Sequence, residues 1–305
     1  MTLHSSNQVN LYSHGKYLNE LTWLYSMNKL PNKILLSGEK GIGKCTLAYH
    51  LINFILSADE NESYDSKKFL INRQSKVFKL IQNKSNPNFN LIDLKEDKKN
   101  IDINQIRELI SKLNKSSFND KPRFVLIDNI EFLNDNSVNA LLKILEEPND
   151  KIYFILINNN KKVLPTLKSR CLNFKIFLKF EEKIKIINEI LGNNVLDLLN
   201  SDFINNYFTP GELLKLINFG KDNKIDLKKN NLKEFLSVII KDNKYKNQTY
   251  FKNSIYLLIE LYFRINTSVN NIKLINIYSY FLKKIYYVKK FNLDEDTLLM
   301  EFEYK

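Results

Sequence analysis

Glycine and proline are scarce in this chain, seven and six in 305 residues. That shortage excludes an all-β protein built on many tight turns and leaves helices as the main element. Cysteine occurs twice, as Cys45 and Cys171, and neither stands in a CxxC pair. The sequence therefore makes no case for a structural zinc, a redox dithiol or a disulfide scaffold, and a reducing compartment is compatible with it. Long apolar runs are missing as well: Ile255 to Phe263 is interrupted by Glu260, far short of the roughly 20 residues that span a bilayer. Met1 to Gln8 carries neither the basic flank nor the apolar stretch of a secretory signal, and a cytoplasmic location is expected. Arginine is confined to Arg73, Arg107, Arg123, Arg170 and Arg264.

What is present is ordinary globular material, 44% hydrophobic and 26% charged, which excludes a disordered tail and, at this length, suggests two or three domains. Lys and Arg number 46 against 34 Asp and Glu, a formal charge of +12. Two readings stay open: an interaction with a polyanion, or a drift toward Lys, Asn and Ile of the kind AT-rich codons generate, which we prefer. Against such a drift the few arginines mark places where a planar fork is needed.

Lys33 to Ser37 is a short apolar run that predicts a buried parallel strand. Gly38-Glu39-Lys40-Gly41-Ile42-Gly43-Lys44-Cys45-Thr46 follows at once, and Leu47 to Leu56 is helical in pattern. Strand, glycine-rich loop and helix stand in the order of a phosphate-binding loop, in which Gly38, Gly41 and Gly43 turn backbone N–H groups inward and Lys44 reaches the terminal phosphates. The bland alternative is a glycine turn with a chance lysine. The position after the lysine normally carries a hydroxyl, a hard oxygen ligand for Mg²⁺. Here it is Cys45, a soft ligand, and Thr46 lies about 100° further round the helix. Nucleotide binding is expected to be weak or without a well-placed metal.

Arg123 to Ile127 predicts a second buried strand, ending in Asp128 at the carboxyl edge, where P-loop ATPases hold their metal-binding aspartate. The next residue is Asn129, where a glutamate would polarise the attacking water. An amide orients water but accepts no proton, so hydrolysis should fall by orders of magnitude. Glu131 reads as a charge opening the following helix.

Asn139-Ala140-Leu141-Leu142-Lys143-Ile144-Leu145-Glu146-Glu147-Pro148 resembles the helix and turn of the bacterial clamp-loader ATPases, a branch of the AAA+ superfamily. A strand at Tyr153 to Ile157, the Ser169-Arg170-Cys171 triplet, and Asn86-Pro87-Asn88 followed by Ile101 to Arg107 resemble the same proteins in the same order. The resemblance covers roughly the first 180 residues. It implies an α/β P-loop AAA+ module, a parallel sheet flanked by helices, over 1–178, a small helical lid over 179–222 and a C-terminal all-α collar over 223–305.

Within that family gamma/tau-type motors burn ATP, and a delta-prime-type stator lends an arginine to a neighbour's ATP. Cys45, Asn129 and the lack of arginine near Pro210-Gly211 favour the stator. The resemblance then implies that Arg170 acts in trans on an adjacent subunit, the alternative being an interface arginine paired with a carboxylate. Asn158 would match the first nucleotide sensor, or be a polar loop residue. Residues 57 to 90 hold no cysteine, so the family's zinc is not carried over; the cofactor expectation is at most weak ATP/Mg²⁺. Partners implied are gamma/tau and delta subunits, the sliding clamp, and primed DNA through the assembled complex. Two rivals remain, an active gamma/tau-type motor and a stand-alone basic nucleic-acid-binding protein. Beyond Cys171, Glu181 to Leu191 and Pro210 to Phe219 read as helices, Gly220 to Asn231 as a linker, and Leu232 to Ile240, Phe251 to Asn266 and Leu274 to Lys290 as amphipathic helices whose apolar stripes form a domain core.

Overall fold

The computed structural model describes residues 4–95, 98–115, 119–146, 151–205, 207–247, 249–267 and 272–304. Two compact units form, Met1–Ile186 and Ile187–Lys305. The first runs α1 (Gly15–Ser26), β1 (Lys33–Ser37), α2 (Lys44–Leu56), α3 (Lys76–Gln82), β2 (Phe89–Ile92), α4 (Ile103–Leu113), β3 (Arg123–Ile127), α5 (Asp135–Glu146), β4 (Ile152–Asn158), α6 (Pro165–Lys168) and β5 (Leu172–Lys175), and it ends within α7 (Phe180–Leu191). Glu147 and Pro148, which close the clamp-loader-like string, lie outside the described residues.

The five strands make one parallel sheet in the order β2-β3-β4-β1-β5, with Ile34 paired to Ile155 on one side and to Leu172 on the other. Central strands of such a sheet are covered on both faces, which is why β1, β3 and β4 are apolar throughout rather than alternating. Successive side chains still point to opposite faces. Ile34, Leu36, Phe124, Leu126, Ile155 and Ile157 meet Leu18 and Leu21 of α1, Leu47 and Leu51 of α2 and Phe78 of α3. Leu35, Val125, Ile127, Phe154 and Leu156 meet Ile106 and Leu109 of α4, Leu141 and Leu145 of α5 and Leu167 of α6. Helix starts follow local chemistry: Asp102 accepts from the Asn104 and Gln105 amides, and the Gln105 side chain reaches back, a capping box opening α4.

The second unit is helical: α8 (Val195–Leu198), α9 (Pro210–Asp222), α10 (Leu232–Lys241), α11 (Thr249–Asn266), α12 (Ile272–Phe291) and α13 (Glu295–Tyr304). Its core is aromatic. Phe235 meets Phe203 and Phe219 edge-on, and Phe263, Phe281 and Phe302 pack within 5.9 Å of one another. Of the predicted stripe on α12, Phe281 and Ile285 are buried while Ile277 and Val288 are half-buried. The stretch read as a linker is packed down instead: α9 runs through Gly220 to Asp222, Ile225 and Leu227 are buried, and the Leu227 carbonyl accepts from the Asn200 amide. Its polar residues fill the turn, and two apolar ones anchor it. Among the described residues no helix is long and apolar enough to cross a membrane.

Gly38 is where the sheet meets its loop. A Cβ there would stand 2.3 Å from the Ile176 carbonyl oxygen and 2.9 Å from Ile42 Cδ1, and a backbone carbonyl cannot rotate away. Gly38→Ala is therefore expected to destabilise the first unit by about 1–3 kcal/mol, lowering its melting temperature by about 2–4 °C per kcal/mol. Urea unfolding with an unchanged midpoint would contradict this packing.

Candidate functional site

The loop between β1 and α2 is shaped by two glycines in left-handed conformations, Gly41 at φ 87° and Gly43 at φ 95°. Under it lies His14, whose buried Nε2 is 2.5 Å from the Ile42 carbonyl oxygen and would be 3.1 Å from any Cβ on Gly43. Burial lowers the His14 pKa, so the ring is neutral near pH 7 and donates its Nε2 proton to Ile42, while Nδ1 has no partner among the described residues. His14 thus props the loop from below. No sequence pattern marked it, because its partner is a carbonyl 28 residues away.

Lys44 is buried at the start of α2. Its ammonium donates to the Gly38 carbonyl (3.0 Å), the Glu39 carbonyl (2.5 Å) and Asn159 Oδ1 (2.9 Å). All three protons are used. Burial lowers its pKa to about 8, opposed by the nearby carboxylates of Asp128 and Glu131.

Asp128, at the end of β3, stands where the sequence predicts. Burial raises its pKa to about 6, with the charge of Asp93 adding to the rise and hydrogen bonds from the Cys45 thiol and the Asn129 amide opposing it. Cys45 thus bonds Asp128 as the usual hydroxyl would, but presents sulfur, and burial holds its thiol far above the ordinary range. A thiol kept neutral is a still poorer ligand for a hard cation. Thr46 is half-buried on the same helix.

Asn129 occupies a left-handed conformation at φ 58°. Its amide nitrogen donates to Asp93 Oδ1 at 2.8 Å, and its oxygen accepts from Asn159 Nδ2 at 2.9 Å. Asn159 Nδ2 also lies 2.9 Å from Glu131 Oε1. A polar chain therefore runs Lys44, Asn159, Asn129 and Asp93, with Glu131 on its flank. Three points about neighbouring residues follow. Asn159, not Asn158, joins the strand β4 to the loop lysine; Asn158 instead bonds both the amide and the carbonyl of Lys161 and turns the chain. Glu131 does stand in the first turn of the short 3-10 helix Ile130–Phe132, and its carboxylate also faces the site through Asn159. Asp93 was missed, and its position directly after β2, beside Asp128, was the available signal.

Arg170 follows α6. Its fork is held inside the chain, Nη2 on Glu146 Oε1 at 2.6 Å and Nη1 on the Thr166 carbonyl at 2.9 Å, with about a third of the side chain exposed. Cys171 is packed on the α4–α5 side of the sheet, and burial raises its pKa to about 11, which makes it a core thiol. In the second unit Glu212 closes a capping box on Thr209, accepting from both its amide and its hydroxyl at 2.9 Å; the acid beside Pro210-Gly211 is thus spent on starting α9.

Residues 13–179 match the protein family described as DNA polymerase III, delta subunit. A DNA polymerase III subunit delta' of Buchnera aphidicola subsp. Baizongia pistaciae is 30% identical over 176 residues, 55% of this chain and 51% of that protein. A DNA polymerase III subunit gamma of Buchnera aphidicola subsp. Schizaphis graminum is 30% identical over 197 residues, 58% of this chain and 52% of that protein. The match thus spans about half the length of these relatives. A solved gamma subunit-related protein of Thermotoga maritima shares the fold, with a TM-score of 0.50 and 20% identity over 93% of this chain and 97% of its own. The P-loop α/β class read from the motifs is therefore the fold that forms.

The lysine sets a pH dependence. Free Lys44 loses its proton near pH 8, and a bound phosphate would favour the charged form. Binding of inorganic pyrophosphate to the loop should therefore weaken as pH rises above about 8, by up to tenfold per pH unit, and Lys44→Gln should bind weakly with a flat profile. Calorimetric titration from pH 6.5 to 9.5 measures this; an unchanged wild-type affinity through pH 9 contradicts the assignment.

Proposed function

Because the chain belongs to the clamp-loader family described as DNA polymerase III, delta subunit, we propose that it is the delta-prime-type stator of that assembly. In this reading it works in the cytoplasm with gamma/tau and delta subunits, supports ATP-dependent loading of a sliding clamp, and meets primed DNA through the assembled complex. The observation that carries the stator reading is the state of Asn129: both ends of its amide are bonded, to Asp93 and Asn159, at the position where a motor needs a carboxylate base. The glycine conformations fit a phosphate cradle. Gly38, Gly41, Gly43, Lys44 and Thr46 would hold the nucleotide, while Cys45 beside Asp128 fits magnesium badly. The chain's own site then binds nucleotide weakly and does not turn it over.

Arg170 supplies the chemistry. Lent to a neighbour's ATP, its fork would stabilise charge on the terminal phosphate. Glu146 parks it until that neighbour is present, at little energetic cost, since exposed ion pairs are worth about 0–1 kcal/mol. A motor of the gamma/tau type is the second reading, and the observation in its favour is Glu131, a carboxylate aimed at the site through Asn159.

Turnover separates the two. The homogeneous chain is expected to hydrolyse ATP no faster than background, and Cys45→Thr to tighten Mg-nucleotide binding without giving turnover. Several turnovers per minute, lost on Glu131→Gln, would establish the motor. For the finger, Arg170→Ala should leave the fold and ring assembly intact while slowing hydrolysis at the adjacent motor site by about 10³-fold. Arg170→Lys should fail nearly as badly because a point charge lacks the fork. Loss of the mutant from the ring on sizing, with loading restored by excess mutant subunit, would make Arg170 an interface residue instead.

A further inference from the structure

Helix α12 carries an outward face that the second unit does not use. Tyr286, Tyr287 and Phe291 are 55%, 49% and 57% exposed, an unusual cost for three rings on one surface. They form a ladder: Tyr286 and Tyr287 are 5.6 Å apart between centroids, and Tyr287 stacks on Phe291 at 6.0 Å and 26°. Lysines are interleaved with them. Lys290 lies 5.3 Å from the centroids of both Tyr286 and Phe291, and Lys289 lies 4.9 Å from that of Tyr256.

The lysines in the C-terminal half of this helix divide in two. Lys284 is paired with Glu301, and elsewhere in the unit Lys241, Lys244 and Lys246 are paired with Glu303, Asp242 and Asp296. Lys283, Lys289 and Lys290 form no ion pair among the described residues. The acids that follow them in the chain are engaged elsewhere: Asp294 accepts from Thr297, Glu295 from Tyr256, and Asp296 from Tyr245 and Lys246. The face therefore presents three ammonium groups, without a direct ion pair among the described residues, beside stacked rings.

We infer that this face of α12 binds single-stranded nucleic acid, with Tyr286, Tyr287 and Phe291 stacking on bases and Lys283, Lys289 and Lys290 on the phosphates between them. The pattern along the helix favours this occupant. Asn276, Ser279, Lys283, Tyr286 and Lys290 are all exposed and recur at steps of three and four, so they share one line along the helix. That line carries lysine at its centre, and the adjoining line of exposed Ile272, Ile275, Leu282 and Tyr286 is broken by Ser279 and Lys289. A helix lying in a lipid surface needs a continuous apolar stripe there, and protein interfaces are depleted of lysine at their centre; a second copy of this chain would set like charges against each other. Lys283 and Lys290 are about 10 Å apart along the axis, which leaves room for bases to lie on the rings between them. The inference does not require the stator reading, since it concerns the isolated chain.

The test is fluorescence anisotropy with labelled oligo-dT and the full chain alone, over a range of salt. Wild type should bind with a strong salt dependence. Tyr286→Ala with Tyr287→Ala should weaken binding by about tenfold or more, as loss of one or two stacked bases predicts. Lys283→Gln with Lys290→Gln should reduce the slope of log affinity against log salt by about 1.4, or 0.7 per phosphate released. An abasic oligomer should lose the effect of the tyrosine pair and keep that of the lysine pair. These side chains are exposed, so unchanged circular dichroism is expected of every variant. Equal oligo-dT affinity for wild type and both double variants would overturn the inference. So would binding to phosphatidylserine vesicles, or self-association on sizing, that responds to the same substitutions while oligo-dT binding does not. Failure of this test leaves the ATPase and Arg170 outcomes untouched, because neither experiment uses this face.

Discussion

A lysine ammonium buried at the carboxyl edge of a parallel sheet must be satisfied by groups that the fold places around it, since an unpaired buried charge costs several kcal/mol. Lys44 is such a group, and much of the first unit's upper edge is arranged about it. Two backbone carbonyls of its own loop and the amide oxygen of Asn159 take its three protons. Asp128 and Glu131 supply the opposing charge without a direct bond. The loop can turn its carbonyls that way because Gly41 and Gly43 adopt positive φ, and it can sit that close to the sheet because Gly38 has no side chain to strike Ile176.

The same constraint shapes the neighbouring residues. Asn159 can serve Lys44 only if its other end is held, and Asn129 and Glu131 hold it. Asn129 in turn reaches Asp93, which places a second carboxylate near Asp128 and helps raise the pKa of Asp128 to about 6. Cys45 fits this arrangement as a donor to Asp128, a task a thiol does adequately, while the task it does badly, holding a hard cation, is the one an ATPase needs. The proposed stator reading rests on this combination, a loop shaped like a phosphate cradle beside an amide and a thiol where a motor needs a carboxylate and a hydroxyl.

The two units solve the burial problem differently. The first covers both faces of a sheet with mainly aliphatic side chains in two separate clusters; the second packs Phe203, Phe219 and Phe235, and then Phe263, Phe281 and Phe302, ring against ring. Aromatic pairs add directional contacts to area burial, which fixes how the helices of the second unit meet. It also explains why aromatics left outside that core, on α12, stand out as surface features.

The sequence determined what depends on near neighbours. Lys33 to Thr46 announced strand, loop and helix because glycine spacing and an apolar run are local, and Arg123 to Asp128 did the same for β3 and its acid. The order of the motifs carried the fold class, since it fixes which strands follow which loops. Strands β2 and β5 were illegible, because Phe89–Ile92 and Leu172–Lys175 lie at the sheet's edges, are only partly buried and need no apolar run. Gly220 to Asn231 read as a tether because composition counts its polar residues and cannot see Ile225 and Leu227 docking. Which of three consecutive asparagines meets Lys44 was decided only by tertiary structure: Asn158 ends β4 in register with Ser37, and the next residue turns inward. His14 beneath the loop, Asp93 beside Asp128 and Glu146 across from Arg170 share that reason. Each acts on a partner far away in sequence, and only the folded first unit, by packing its loops and helix ends about the sheet, brings such pairs within reach.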